Sequence, residues 1–423
     1  MAMSDAQVLK TKERPTGRRS VGLDDAHDAA TEAVRVALLT GGGDKPYALG
    51  LASALVAQGV SFDFIGSDEV DGPELHGTPQ VNFLNLRGDQ RSDASRWRKA
   101  LRVARYYARL VRYAASAKPE IFHILWNNKF ELFDRTLLML YYRLLGKRII
   151  LTAHNVNSAE RDANDSFVNR LSLGIQYRLS DHIFVHTAKM KNGLVHEFHV
   201  PEVKVSVIPF GINDTVPNSE LTAREAKWML GVSGSEKAML FFGHIAPYKG
   251  LEDLVAALAR LEGKGEGYRL IIAGRPKGCD AYWNEIQRVI CRSGVADRII
   301  QKIEYIPDEK VEVFFKAADV LVLPYTHIFQ SGVLFLGYNF GLPAIASDVG
   351  SLREDVVEGR TGYLFRPRDP EDLARALRDY FESDLYRHLE SRRREIRDFA
   401  SQRYSWAEVG EITKRVYLQL MQN

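Results

Sequence analysis

Cysteine is almost absent, with 2 in 423 residues. Cys279 and Cys291 stand twelve positions apart with no histidine between them. That excludes a disulfide framework and gives no structural zinc pattern. A reducing, cytoplasmic setting is the expectation. Long apolar runs are missing too. The longest candidate, 137–145, contains Arg143 and falls well short of the about 18 residues a membrane span needs. Nor does charge of one sign dominate: 57 basic residues face 54 acidic ones, a net charge of +3. A globally basic nucleic-acid binder is excluded on that balance, so no nucleic-acid partner is expected. Residues 1–33 are polar, lack the apolar centre of a signal peptide and are expected to form a disordered lead-in.

Apolar residues make up 45% of the chain and charged ones 26%, the balance of a globular protein. The length suits two domains of about 150–200 residues each. Short apolar, β-branched runs recur at 34–40, 62–65, 81–86, 121–125, 148–152, 182–186 and 205–209. Helical spacing fills most gaps, notably 95–117, 131–146 and 167–180. After Pro209-Phe210-Gly211 and a polar stretch at 213–224 the pattern restarts, with strand-like runs at 239–242, 269–273, 298–303, 320–324 and 343–347. The α/β alternation predicts two doubly wound parallel sheets, over 34–212 and 213–403, facing a cleft. The remainder, 369–423, reads as charged amphipathic helix, and its last part, 404–423, is expected to cross back to the first domain.

Two segments of the second half carry the chemistry. In 241–250 (FFGHIAPYKG) a strand runs through a loop to a lysine at a helix start. A lysine beside free helix N–H groups makes an anion site; the alternative is a solvated lysine near a cap. In 323–350 a strand ends in a loop, and Gln330-Ser331-Gly332 opens a helix. Small residues there let backbone amides approach a ligand, and the helix dipole favours a negative group. Together the two motifs put a cation and a helix N-terminus at one sheet edge, which suits a diphosphate.

These landmarks resemble the retaining glycosyltransferases of family four, which have the GT-B architecture. The similarity rests on the glycine loop at 41–43, Thr152-Ala153-His154-Asn155, Val207 to Gly211, Gly243 to Gly250, Ala273-Gly274, Ala317-Ala318-Asp319, Gln330-Ser331-Gly332-Val333, Gly341-Leu342-Pro343, Thr361 to Leu364 and Tyr404-Ser405-Trp406. It implies that the second domain holds a sugar nucleotide. Lys249 then pairs with the diphosphate, and Ser331, Gly332 and Val333 offer backbone amides to the distal phosphate or sugar. Gln330 belongs to the same stretch, and Tyr305 and Ile306 lie where a loop contacts the nucleobase. From the first domain, His154 points at the transferred sugar. Gly42 and Gly43 match the loop that admits diphosphate and acceptor.

Two positions depart from the family pattern. An arginine five residues before the lysine is here His244, for which Arg275 or a protonated imidazole would compensate. Two glutamates eight apart are absent, the second falling on Leu336. The intact Gln330-Ser331-Gly332-Val333 resembles a variant subgroup with that signature. The implied chemistry is metal-independent, cofactor-free transfer with retention through an oxocarbenium-like state, the leaving diphosphate being stabilised by Lys249 and the helix N-terminus.

Local charge contradicts the neutral average. Residues 87–148 hold 15 Lys and Arg against 5 Asp and Glu. Within them Arg98, Arg102, Arg105, Arg109 and Arg112 recur at steps of four, three, four and three, one face of a helix. Leu101, Ala104, Ala108 and Val111 lie on the neighbouring side, and Tyr106 and Tyr113 flank. The face is a solvated stripe or a patch for anionic lipid headgroups; a third reading, nucleic acid, is disfavoured because fold and cleft point elsewhere. His182, His186, His196 and His199 read as packing or surface residues, Arg392 to Arg394 as a solvated face, and Trp406 as an anchor for the last helix. The expected protein is a hexosyltransferase using a nucleotide sugar and a glycan or lipid-linked acceptor for surface polysaccharide or glycolipid, peripheral to the inner face of the cytoplasmic membrane. The alternatives are a catalytically silent GT-B binding protein and a sugar-nucleotide epimerase.

Overall fold

The computed structural model describes residues 34–422 apart from 43, 91–94, 162–163, 213–215, 262–266 and 277. The lead-in expected over 1–33 and the glycine-loop residue Gly43 lie outside the described residues.

Two wholly parallel sheets carry the chain. The first contains β1 (Arg35–Leu39), β2 (Ser61–Gly66), β3 (Val81–Asn85), β4 (Ile121–Ile124), β5 (Arg148–Thr152), β6 (His182–Val185) and β7 (Val205–Val207). Its spatial order is β3-β2-β1-β4-β5-β6-β7. The second contains β8 (Lys237–Phe242), β9 (Tyr268–Ala273), β10 (Ile299–Lys302), β11 (Val320–Leu323), β12 (Ala344–Ser347) and β13 (Gly362–Phe365), ordered β10-β9-β8-β11-β12-β13. Most strands are covered on both faces, which is why they read as unbroken apolar runs. Only β13, an edge strand with two half-buried residues, was absent from the run of strand signals.

In each sheet the strand order reverses once, beside β1 in the first and β8 in the second. Loops leaving the carboxyl ends of strands at such a point splay apart and open a crevice. The helices that matter are α1 (Lys45–Ala57), α2 (Arg96–Ser116), α3 (Phe167–Leu179), α4 (Leu251–Arg260), α5 (Gly332–Asn339), α6 (Leu389–Arg403) and α7 (Trp406–Gln422). The polar stretch expected as a linker gives way at its end to a helix, Ala223–Met229, fixed by a capping box between Thr222 and Glu225.

The final helix packs against the first sheet's layer. Lys414 Nζ donates to the Gln58 carbonyl at 2.7 Å, and Val409, Val416 and Tyr417 join the core around Leu51 and Leu55. Trp406 packs on Gly50 and Gly211 and donates its indole N–H to the Ile212 carbonyl at 2.9 Å. One reading needs correction. Arg393 is buried rather than solvated, because its guanidinium caps the carbonyls of Phe340 (3.2 Å) and Ala318 (2.6 Å). On α2 the buried face is Tyr106, Leu110 and Ala114, while Leu101, Ala104 and Ala108 stand exposed. The tyrosines decide this, since their hydroxyls reach Asn128, Asp134 and Asp63 below the helix.

Candidate active site

A cavity of about 330 Å³ opens where the two reversal points face each other. The loop after β1 supplies Asp44, Pro46 and Tyr47, and the segment after β7 supplies Phe210 and Gly211. From the second sheet come Tyr248 and Lys249 after β8, then Tyr325, Gln330, Ser331, Gly332 and Val333 after β11. Trp406 closes one side and Leu336 lies on the wall.

Local geometry explains how Lys249 arrives there. Residues Pro247–Lys249 form a single 3-10 turn, and Gly250 follows at φ 60°. A Cβ on Gly250 would lie 2.0 Å from the Pro324 carbonyl oxygen, so only glycine lets the two loops touch. The Thr326 amide donates to the Tyr248 carbonyl at 2.8 Å and locks them together. Lys249 is 5% exposed, with Nζ 3.5 Å from the Phe242 carbonyl and 5.1 Å from the Tyr325 ring centre. Opposite, Ser331 caps α5 by accepting from the Leu334 amide at 3.4 Å. The first amides of α5 therefore face the cavity beside a lysine cation. Behind Ser331, Gln330 Nε2 reaches Asp355 Oδ2 at 3.4 Å, and its Oε1 is buried with no partner. Burial raises the Asp355 carboxyl to about 6, although Tyr404 donates to it at 2.9 Å. Asp44 is the one carboxylate on the cavity wall; it accepts from the Tyr47 amide at 3.3 Å and caps α1, and burial raises its pKa.

His154 lies one aromatic layer away. Trp126, His154 and His186 follow β4, β5 and β6, three neighbouring strands, so their rings meet above one sheet edge. Trp126 stacks on His154 at 4.2 Å with an interplanar angle of 6°. Tyr47 meets His154 edge-on at 4.5 Å. His186 Nε2 sits 3.0 Å from His154 Nδ1. Burial first, and then the neighbouring His186, push the His154 pKa far down, while burial takes His186 to about 4. His154 does not line the cavity of Lys249. It lines a second, smaller one of about 150 Å³, and Tyr47, on the wall of the first, stands between its ring and the cleft.

The remaining expected site residues divide. Gln330, Ser331, Gly332, Val333 and Lys249 come together in the cleft. His244 is half-buried and outside the lining. Arg275 lies over the Tyr305 ring at 5.3 Å, forming an exposed pair that also lies outside it. Ile306 is buried in the core of the second half and does not line the cavity. Gly42 is pressed by the Arg87 guanidinium, and Gly41, at φ 59°, is held against the Trp126 carbonyl. Of the α2 arginines, Arg98, Arg105, Arg109 and Arg112 are exposed and Arg102 is half-buried. Sequence reasoning gave no role to Tyr47 or Trp126, met Phe210 only inside a motif, and read His186 as a packing or surface residue, which its burial among rings bears out. One signal was available for His186: it follows the strand predicted directly after the one leading to His154.

Two family models and a set of relatives match parts of the chain. Residues 41–216 match the family model described as Glycosyltransferase Family 4, and residues 236–383 match Glycosyl transferases group 1. One match falls on the half built on the first sheet and the other on the half built on the second, and the fold is GT-B. Among its relatives, the D-inositol 3-phosphate glycosyltransferase of Corynebacterium diphtheriae is 28% identical over 246 residues, 56% of this chain and 57% of that one. The protein so named in Streptomyces scabiei is 31% identical over 210 residues, 48% of this chain and 46% of that one. The chain spans about half the length of these curated relatives. Among solved structures, Anabaena HepE in complex with UDP and glucose superposes with a TM-score of 0.69 at 18% identity, covering 91% of this chain and all of that one. The catalytic domain of Arabidopsis thaliana starch synthase IV, bound to ADP and acarbose, gives 0.64 at 16% identity, covering 92% and 99%.

Proposed function

We propose that the protein is a retaining glycosyltransferase. It moves a hexose-type sugar from a nucleoside-diphosphate sugar to a glycan or lipid-linked acceptor in surface polysaccharide or glycolipid synthesis. The observation that carries this is the cleft in which Lys249 and the N-terminus of α5 converge from two strands of one sheet. The bond from the anomeric carbon to the diphosphate oxygen breaks, and the diphosphate leaves with the electron pair. Lys249 and the α5 amides meet that growing charge without a metal. The acceptor oxygen attacks from the face the diphosphate vacates, and its proton passes to a phosphate oxygen. Asp44 caps α1 through one carboxylate oxygen, and same-face attack without a protein nucleophile is the route proposed here.

The acceptor is reached from the first sheet. Exposed arginines of α2 stand beside exposed Trp97 and Leu101, and neighbouring helices expose Leu137, Leu140, Leu144, Phe167 and Leu171. Exposed basic and apolar groups of this kind suit anionic headgroups with acyl chains beneath. That supports a peripheral position at the inner face of the cytoplasmic membrane. Among the described residues, no helix is long and apolar enough to cross a membrane.

The test is hydrolysis and transfer over a panel of UDP-, ADP- and GDP-sugars. Glycan, lipid-linked and inositol phosphate acceptors complete it, the last suggested by the relatives' names. Turnover of one donor is expected, with unchanged rate in chelator. Binding and turnover of none would leave the silent GT-B protein.

A further inference from the structure

The contact between His154 and His186 fixes where protons sit. The Ile208 carbonyl can only accept, so His186 Nδ1, 3.3 Å away, carries a proton and donates. Buried and neutral, His186 then has a bare Nε2 that accepts. Its partner at 3.0 Å is His154 Nδ1, which must donate. A neutral imidazole holds one N–H, so His154 Nε2 keeps its lone pair. That nitrogen is buried and has no hydrogen-bond partner. Stacking on Trp126 holds the ring plane, so the lone pair has a fixed direction.

The second cavity, about 150 Å³, contains the complement. Arg135 lies on its wall, buried, on a π-helical turn spanning Asp134–Leu138, a feature frequent at functional sites. Its Nη1 donates to Asn169 at 2.9 Å and its Nη2 engages Glu131, yet its Nε is buried without a partner. The amides of Asn127 and Gln176 line the same wall. Two residues of the cavity wall thus each carry a buried unmet group, an acceptor at His154 Nε2 and a donor at Arg135 Nε. A hydroxyl satisfies either, and a ring bearing several hydroxyls satisfies both.

We propose that His186 is a positioning residue that holds His154 as its Nδ1–H tautomer, so that Nε2 accepts from a hydroxyl of a carbohydrate or cyclitol ligand whose other oxygens meet Arg135. The ligand half rests on the glycosyltransferase reading; the tautomer half does not, and needs no substrate to test. The experiment is long-range proton–nitrogen correlation on the full chain with labelled histidine at pH 7.5, His154 being assigned through His154→Phe. The wild type should show His154 protonated at Nδ1 and bare at Nε2. In His186→Gln the amide can donate to Ile208 and accept from His154, so the tautomer should persist. In His186→Phe it should move to Nε2–H. Wild-type His154 protonated at Nε2, or a tautomer indifferent to His186→Phe, overturns the proposal. Donor turnover on the panel above reads the ligand half. His186→Phe should lose about tenfold or more in kcat and His186→Gln at most about threefold, with matching thermal melts. Equal rates in the two variants overturn the ligand half while the tautomer stands. Absence of turnover in the wild type, with the tautomers as expected, counts against the glycosyltransferase reading and not the relay.

Discussion

The two sheets share a topology and differ in how they meet a ligand. Each reverses strand order beside its first strand and opens loops at that point. The second sheet dresses its opening with charge: a buried lysine and the first amides of α5. The first sheet dresses its opening with neutral rings: Tyr47, Trp126, His154, His186 and Phe210. One half suits an anion that grows during reaction. The other suits hydroxyls, which uncharged acceptors and donors can orient without a large desolvation cost. In the transfer proposed above, the same fold divides leaving-group and acceptor recognition between its halves through its loop residues.

Acid should separate the halves most strongly. His123, His154, His182 and His186 all lie in the first half, and burial lowers every one, to about 3 for His123 and about 4 for His182 and His186. A depressed histidine pKa gives stability that is full above the unfolded value of about 6.5 and declines as pH falls toward the folded value. Between pH 7 and 5, His182 and His186 should each lose on the order of 2 kcal/mol. In the second half Asp253 and Asp355, raised to about 6, gain stability over the same interval. Hydrogen exchange at pH 5 should therefore show the first sheet opening before the second. Simultaneous opening would erase the contrast.

The charged half is tested by Lys249→Ala. Donor turnover should fall about 10²–10³-fold if the lysine meets the leaving diphosphate. Full activity would remove Lys249 from that role. Gly250→Ala acts on the same loop through the backbone. Its Cβ would collide with the Pro324 carbonyl at a positive φ, and a loss of about 2 kcal/mol in chemical denaturation is expected. A neutral result would mean that the two loops are not held together there. The smallest energies belong to the exterior of the first half. Replacing Arg98, Arg105, Arg109 and Arg112 by glutamate should abolish flotation with anionic vesicles, at about 1 kcal/mol for each basic contact. Donor hydrolysis without vesicles should not change. Binding that ignores both the substitutions and the lipid charge would end the membrane assignment.

Much of this was legible in the residues. Apolar runs marked twelve of the thirteen strands among the described residues, because most of them are buried on both faces. Lys249 and Gln330 to Val333 were legible because a lysine at a helix start and small residues at a helix cap are local signals. What escaped depends on neighbours distant in the chain. Which face of α2 docks was decided by tyrosine hydroxyls finding Asp63, Asn128 and Asp134, not by the spacing of its arginines. Arg393 looked solvated beside Arg392 and Arg394, yet it alone meets the carbonyls that end α5 and precede β11. His154 was found by its motif, but its separation from the lysine cleft by Tyr47 is a property of packing.

Nucleoside diphosphate binding measured by calorimetry, wild type against Lys249→Ala, tests the central claim most directly. The account predicts that UDP, ADP or GDP binds the wild type, that the parent nucleoside binds far less, and that Lys249→Ala weakens the diphosphate by about tenfold or more. Equal affinity of the two proteins, or no preference for diphosphate over nucleoside, would contradict it.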